Sequence, residues 1–470
     1  MKWSKLFIRH GFQVKEAEGR ENCFDCINES KENLEFLFES LERGAVSYKY
    51  AEERLLIQSD EMDEADWIEL VDTRDRGRTE MLYTKPWLIN LEVSKLDTYI
   101  CGIVKELNRL ELYTYGSCDG HGRGSAAVYF NSEDDLETAS KLFLACGIQR
   151  ITTQRGRMSL HISKNKQLLD VAERLHLVQK ESLDKDLEFF QKLFFLARLE
   201  ETLSISGVSG DEGSIRDYVL EQLDVLTEHT VVDNAGNILA HRKYGNGHGP
   251  TIMLNAHLDT VEEFVPGRTI VKNGPVWTSS EGILGADDRA GVTVILEMAR
   301  WLDIIRFNGK VKFVFTVGEE AGLIGARRLN ESFLWDVDAA IVVDRRNTND
   351  IVVSCGGVIP FCHEKYGEFF EKTAKENGLG DWNVTAGGSS DTRIWAGHGI
   401  QSVNLSAGYN NEHTDDEFLD TDACFNTLRL IQAVFKEKNE LNRVLNRINT
   451  FKEVDKRRGG FAGERCVDSF

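Results

Sequence analysis

Seven side chains in the second half of the chain are of the kinds that hold divalent ions or move protons: His257, Asp259, Asp287, Glu319, Glu320, Asp344 and His413. They fall in five short stretches, NAHLDTV (255–261), GADDRAG (285–291), VGEEAG (317–322), AAIVVD (339–344) and NEHT (411–414). Cutting an amide bond with two divalent ions takes imidazole and carboxylate ligands, one carboxylate shared between the ions, and a free carboxylate to handle the proton of water. The set contains each of these parts.

The elements that must position them are also legible. TIMLNA (251–256), KVKFVFTV (310–317), AAIVVD (339–344) and QSVNLS (401–406) are short runs rich in β-branched or aromatic residues and predict buried strands. Each candidate lies at a strand end or soon after one, and the carboxyl edge of an open parallel sheet is where ligands collect. His257 and Asp259 are two apart, so the carboxylate can turn back to accept the second imidazole N–H and fix the tautomer. Asp287 precedes Val292, Ile295, Leu296, Ala299 and Leu302 at helical spacing, which puts it at a helix start, where the backbone dipole favours a carboxylate. Glu319 and Glu320 are adjacent, so their side chains diverge: one can ligate while the other moves protons.

The order HLDT, ADD, GEE, a lone Asp and EHT resembles the co-catalytic di-zinc exopeptidase superfamily, which includes peptidase T, carboxypeptidase G-type enzymes and lid-less aminopeptidases. The stretches SGVSGDEGSIRDYVLEQL (206–223), DNAGNILA (233–240) and GGSSDTRIWAGHGI (387–400) extend the likeness over residues 187–439. The resemblance implies an α/β, three-layer zinc-exopeptidase fold with a mostly parallel central sheet. It implies that His257, Asp287 and Asp344 hold one ion and that Asp287, Glu320 and His413 hold the other. Glu319 would be the general base and Asp259 the partner behind His257. Zinc is the first choice of metal, and cobalt or manganese suit the same oxygen-rich ligands. The peptidase T and carboxypeptidase G branches insert a lid or dimerisation domain before the last histidine. Here Asp344 and His413 are only 69 positions apart, an interval already filled by strands and helices, so the layout resembles the lid-less aminopeptidases.

The implied activity is that of a metal-dependent aminopeptidase acting on small peptides through an activated water. Two alternatives stand beside it: an N-acyl amino acid deacylase or carboxypeptidase-like amidohydrolase, and a catalytically silent binding module. A formal charge of −21 opposes nucleic acid and anionic membrane surfaces and suits cations and peptide amino termini. No stretch has the length of apolar residues needed for a signal peptide or a membrane span, and nine irregularly spaced cysteines fit a reducing compartment, so a cytoplasmic protein is expected. A homo-oligomer is compatible with the family.

Residues 1–180 predict a smaller α+β domain, residues 186–441 the catalytic domain without a lid, and residues 454–470 a charged tail. In the first domain, ENLEFLFESLER and the stretch from Ser94 to Leu107 read as helices, and DWIELV and EMLYT as strands. An alternation of helices and strand pairs follows, to Leu177. Cys23 and Cys26 form one CxxC, and Cys355, Cys362 and His363 a loose cluster; both read as ordinary packing or thiol positions, with a metal or redox role as the other reading of the first and a metal site as that of the second. GSCDGHGRG (116–124) reads as a glycine-permitted turn between two strands, and its alternative is ligand binding through Cys118, His121 or Arg123.

Overall fold

The division of the chain falls not in the polar stretch before Asp186 but inside the helix that follows it. The computed structural model separates Met1–Phe194 from Phe195–Phe470. It describes residues 1–17, 19–74, 76–77, 91–148 and 150–463.

The first unit runs α1 (Trp3–Arg9), β1 (Lys15–Glu16), β2 (Cys23–Asp25), α2 (Lys31–Arg43), β3 (Tyr48–Ala51), β4 (Arg54–Ile57) and α3 (Glu64–Val71). It continues with α4 (Cys101–Arg109), β5 (Thr114–Cys118), β6 (Ala126–Phe130), α5 (Glu133–Ala145), β7 (Arg150–Gln154), β8 (Arg157–His161) and α6 (Lys166–His176). Two antiparallel sheets result, ordered β1-β2-β4-β3 and β5-β6-β8-β7. The connectivity is the same twice over: hairpin, helix, hairpin, with the second and fourth strands inside. The sequence shows no tandem repeat, yet the topology repeats.

DWIELV is helical, not extended. Asp63 caps α3 by accepting the Ala65 N–H, and Trp67, Ile68 and Val71 are buried at helical spacing. EMLYT lies outside the described residues. The helix expected from Ser94 begins at Cys101, after a single 3-10 turn at Val93–Lys95. Cys23 and Cys26 are buried in the core, and burial pushes the Cys26 thiol up to about 11, which suits an inert thiol.

Helix α7 (Leu187–Leu203) leads into the second unit, followed by α8 (Gly213–Asp224), β9 (His229–Val232), β10 (Ile238–Tyr244), β11 (Thr251–His257), β12 (Ile270–Asn273) and β13 (Val276–Ser279). Next come α9 (Ala286–Ile305), β14 (Gly309–Thr316), α10 (Ile324–Arg328), β15 (Ala339–Arg345), β16 (Asp350–Cys355), β17 (Ile359–Pro360) and α11 (Glu364–Glu376). The chain closes with β18 (Asn383–Gly387), α12 (Asp391–Gly397), β19 (Gln401–Ser406), β20 (Tyr409–Asn410), β21 (Phe418–Asp420), α13 (Thr421–Lys436) and α14 (Lys438–Gly463). The stretch expected as a tail is thus helical through Gly463, and residues 464–470 are outside the described set.

The main sheet is mixed, in the order β17-β16-β19-β15-β11-β14-β10-β9, with β18 alongside β16. Its centre, β19-β15-β11-β14, is parallel, and β10, β9 and β17 are antiparallel to their neighbours. Alternate residues of the central strands feed two cores. Ile252, Leu254, Phe313, Phe315, Ile341 and Val343 pack with α9 and α13 on one face. Met253, Val314, Ala340 and Val342 pack with Trp395 and Ile400 on the other. Covering both faces explains why these strands read as unbroken apolar runs. Helix α9 lies close on β15: a Cβ on Gly291 would sit 2.0 Å from the Val343 carbonyl oxygen, so only glycine permits this approach. A separate small sheet, β12-β13-β21-β20, joins the hairpin before Asp287 to the segment around His413.

Among the described residues, no helix is long and apolar enough to cross a membrane.

Candidate metal centre

The parallel strands β11, β14 and β15 end side by side, and their carboxyl edge brings the predicted residues together. His257 is the last residue of β11 and is buried. Glu319 and Glu320 follow β14, and Asp344 lies near the end of β15. Asp287 comes from the turn after β13, and His413 from the loop between β20 and β21, so the small sheet supplies what the large one cannot.

His257 Nε2 lies 3.1 Å from Asp287 Oδ1 and 3.7 Å from Asp344 Oδ1. His413 Nε2 lies 2.6 Å from Glu320 Oε1 and 3.3 Å from Asp287 Oδ2. The two oxygens of Asp287 therefore face different imidazoles. One donor atom each from His257, Asp287 and Asp344 falls within 4.8 Å of the others, as does one each from Asp287, Glu320 and His413. His257, Glu319 and Glu320 also meet that limit, so proximity alone does not set Glu319 apart from the ligands.

Burial, with repulsion from Asp344, pushes the Glu319 carboxyl up to about 10, whereas the imidazoles of His257 and His413 outweigh burial and hold Asp287 well below the usual carboxylate range. Burial and Asp287 raise Asp344 to about 6, and hydrogen bonding to Asp287 and Glu320 raises His413 to about 10. Carboxylates this crowded and this buried have more negative charge than two imidazoles can balance. The donor set, imidazole nitrogens and carboxylate oxygens around one shared aspartate, fits divalent cations.

Asp259 stands behind His257 through both its backbone and its side chain. Its backbone carbonyl, 3.0 Å from His257 Nδ1, is the nearer acceptor, while its carboxylate oxygen is 3.4 Å away. With Nδ1–H donated to that carbonyl, Nε2 is the ring nitrogen that faces Asp287 and Asp344. The Asp259 carboxylate also accepts the Glu319 N–H at 2.9 Å, the Glu320 N–H at 3.0 Å and the Ser209 hydroxyl at 2.6 Å. It clamps the backbone that carries both glutamates. Against burial, the His257 and Ser209 contacts and the Glu319 N–H hold it at about 2.

Asp287 is not simply a first-turn helical residue. Its backbone and that of Asp288 are non-helical, so it stands on a bend before the regular part of α9. Glu417 fixes that bend by accepting the N–H groups of Gly285 at 2.7 Å and Asp287 at 3.1 Å. Asp288, fully buried, accepts the N–H of His257 and of Gly291. The Tyr409 hydroxyl donates to Asp344 Oδ1 at 3.1 Å, and buried Asp391 accepts the Thr316 hydroxyl. None of these four supporting side chains was singled out by sequence reasoning, although Asp288 adjoins Asp287 and Glu417 follows the NEHT stretch closely.

The site opens into a cleft of about 290 Å³, lined by Asp287, Glu319, Glu320, Asp344 and His413 together with Arg346, Ser390, Asn404, Tyr409 and Glu412. Arg346 is paired with Glu412 at 2.9 Å. The interval from Asp344 to His413 holds β16 to β20 with α11 and α12. Cys355, Cys362 and His363 do not form a donor cluster among the described residues: His363 caps α11 and burial pushes the Cys362 thiol up to about 12.

Residues 237–430 match the profile of Peptidase family M28. The second unit carries a Peptidase family M28 domain. All of the metal-centre candidates lie within the matched residues. The M28 domain has curated relatives. Over 104 residues the chain is 41% identical to "Uncharacterized protein YqjE" of Bacillus subtilis, covering 21% of this chain and 27% of that protein. It is 28% identical over 190 residues to the "Putative LysW-lysine/LysW-ornithine hydrolase" of Pyrococcus furiosus, covering 40% of this chain and 51% of that one. It is 25% identical over 300 residues to a "Putative aminopeptidase" of Acetivibrio thermocellus, covering 45% of this chain and 86% of that one. The chain spans about a quarter and about half of the length of the first two.

Proposed function

We propose that the protein is a metal-dependent aminopeptidase that removes the N-terminal residue of small peptides, with two divalent ions, zinc by first choice, in the M28 domain. The observation that carries this reading is the placement of Asp287 between two imidazoles, with separate groups of donors on either side. His257, Asp287 and Asp344 would hold one ion, and Asp287, Glu320 and His413 the other. Bound there, the ions supply Lewis acidity toward the scissile carbonyl and acidify a water.

The chain's own groups do the rest. Glu319 Oε takes the proton of the attacking water and passes it to the leaving amine, a role suited to a carboxylate that lines the cleft beside both groups of donors. The Asp259 carboxylate keeps Glu319 in place through its backbone N–H. The acidic lining of the cleft favours a substrate that brings a free ammonium group. The name of the Acetivibrio thermocellus relative agrees with this reading. Free thiols at all eight described cysteines fit a reducing, cytoplasmic setting.

The test is hydrolysis of matched peptides with free and acetylated amino termini by metal-loaded protein, with Glu319→Gln as control. Cleavage confined to the free-amino set and lost in the control is expected. Cleavage of only the acetylated set would overturn the aminopeptidase reading in favour of a deacylase.

A further inference from the structure

The first unit holds a second cluster of metal-ligating side chains, built by two segments that meet from different elements. Asp97 stands just before α4, Cys118 ends β5, and Asp119 and His121 follow in the turn to β6. One donor atom from each of the four lies within 4.8 Å of all the others. His121 Nδ1 is 3.4 Å from Asp119 Oδ1, and Nε2 is 3.7 Å from Asp97 Oδ2. Only one ring nitrogen can ligate a given ion, and with one atom from each residue the four donors already lie within 4.8 Å of one another.

The backbone holds the group in register. The Asp119 N–H donates to Asp97 Oδ2 at 3.1 Å, and the Gly120 N–H donates to Cys118 Sγ at 3.3 Å. The turn needs positive φ at Gly120, His121 and Gly122, and a Cβ on Gly120 would lie 2.2 Å from the Gly124 carbonyl oxygen. Asp97 and Asp119 are both more than nine-tenths buried. Among the described residues, His121 is the one basic side chain paired with either carboxylate. Carboxylate oxygens, a thiol sulfur and an imidazole nitrogen from separate segments thus meet at one point, with the buried Arg76 guanidinium acting on Asp97 from nearby.

We propose that Asp97, Cys118, Asp119 and His121 form a binding site for one divalent ion of borderline softness, zinc by ligand type, in the first unit. One thiolate, one imidazole and carboxylate oxygens suit zinc or cobalt and are wrong for magnesium or calcium. On binding, the Cys118 thiol releases its proton to solvent and the thiolate takes its place as ligand. The ion would tie the start of α4 to the β5–β6 turn.

The test uses the full-length protein, freed of metal by chelation and titrated with cobalt. A thiolate-to-cobalt charge-transfer band in the near ultraviolet reports only a cysteine-bearing site, and the donors in the M28 domain include no cysteine, so failure of the peptidase reading would leave this readout untouched. The expected result is a band whose final amplitude corresponds to one thiolate-bound cobalt per chain, whatever cobalt the M28 domain also takes up, and which bleaches on addition of zinc, is absent in Cys118→Ser and is weakened in His121→Ala. Metal analysis of the zinc-loaded protein should show one ion fewer per chain in Cys118→Ser than in the wild type. Circular dichroism of both variants reports whether they fold, and the wild-type titration stands without them. No band in the wild type, or a band that survives Cys118→Ser, overturns the proposal.

Discussion

Two buried clusters of charge, one in each unit, solve the same problem in opposite ways. In the first unit Arg9, 5% exposed, reaches both oxygens of Glu64, Asp170 Oδ1 and Glu173 Oε2, and Lys5 also reaches Glu173. Each carboxylate touches a permanent cation, and despite burial, contacts with His10 and Arg9 hold Glu64 at about 2. In the M28 domain Glu319, Asp344 and Asp391 have no such partner, and burial raises them to about 10, 6 and 7. The lesson is in the direction of the shift. Where the chain carries its own countercharge, burial of acids holds a fold together; where it leaves a surplus, the acids are arranged for something that arrives from outside.

The comparison is most exposed to the loss of a proton carrier. Glu319→Gln should lower turnover by about 10²–10⁴-fold, the usual contribution of general acid–base catalysis, while metal content stays at the wild-type level. Loss of metal together with activity would make Glu319 a ligand instead. Arg9→Leu should do the reverse of a catalytic lesion: leaving Glu64 and its neighbours buried without their cation should cost about 3–5 kcal/mol in denaturant unfolding.

A pH series sharpens the contrast. Burial lowers His10 to about 4, against about 6.5 in an unfolded chain, so the folded state prefers it neutral. The stability this contributes is complete above about pH 6.5 and is lost as pH falls toward 4, about 3 kcal/mol in all. Glu64 titrates below that window in the fold, so His10→Phe should flatten the decline there, measured by unfolding at each pH. The smallest effect is expected at Tyr409→Phe, which keeps the ring and removes the hydroxyl donated to Asp344. Metal affinity, measured by competition with a chelator, should fall about 10–100-fold with little change in fold.

What the sequence made legible was residue type at strand ends. His257, Glu319, Glu320 and Asp344 could be picked out because parallel strands deliver their carboxyl ends to one edge, and the apolar runs that mark those strands are unmistakable; Asp287 and His413, which the small sheet delivers, stood out only by the order of the ADD and EHT stretches. The partners were not legible, because Tyr409 reaches Asp344 and Glu417 reaches Gly285 only once distant loops are brought together. The first unit was harder for a different reason. The β3–β4 hairpin turns on Glu52 and Glu53, both with positive φ, where a turn of this kind ordinarily advertises itself with Asn or Gly. DWIELV is too short for its apolar spacing to separate strand from helix, and the deciding signal was the cap at Asp63.

The small sheet has a consequence in time as well as in space. Asp287 reaches its place through β13, whose neighbour is β21, and Glu417 and His413 come from the same late stretch. While the chain is still being made, His257, Glu319 and Asp344 can all have left the ribosome before the strand that steadies Asp287 exists. A chain ending before His413 would carry His257, Asp287, Glu319, Glu320 and Asp344 without His413, Glu417 or β21, so the last donor and the strand that steadies Asp287 arrive together.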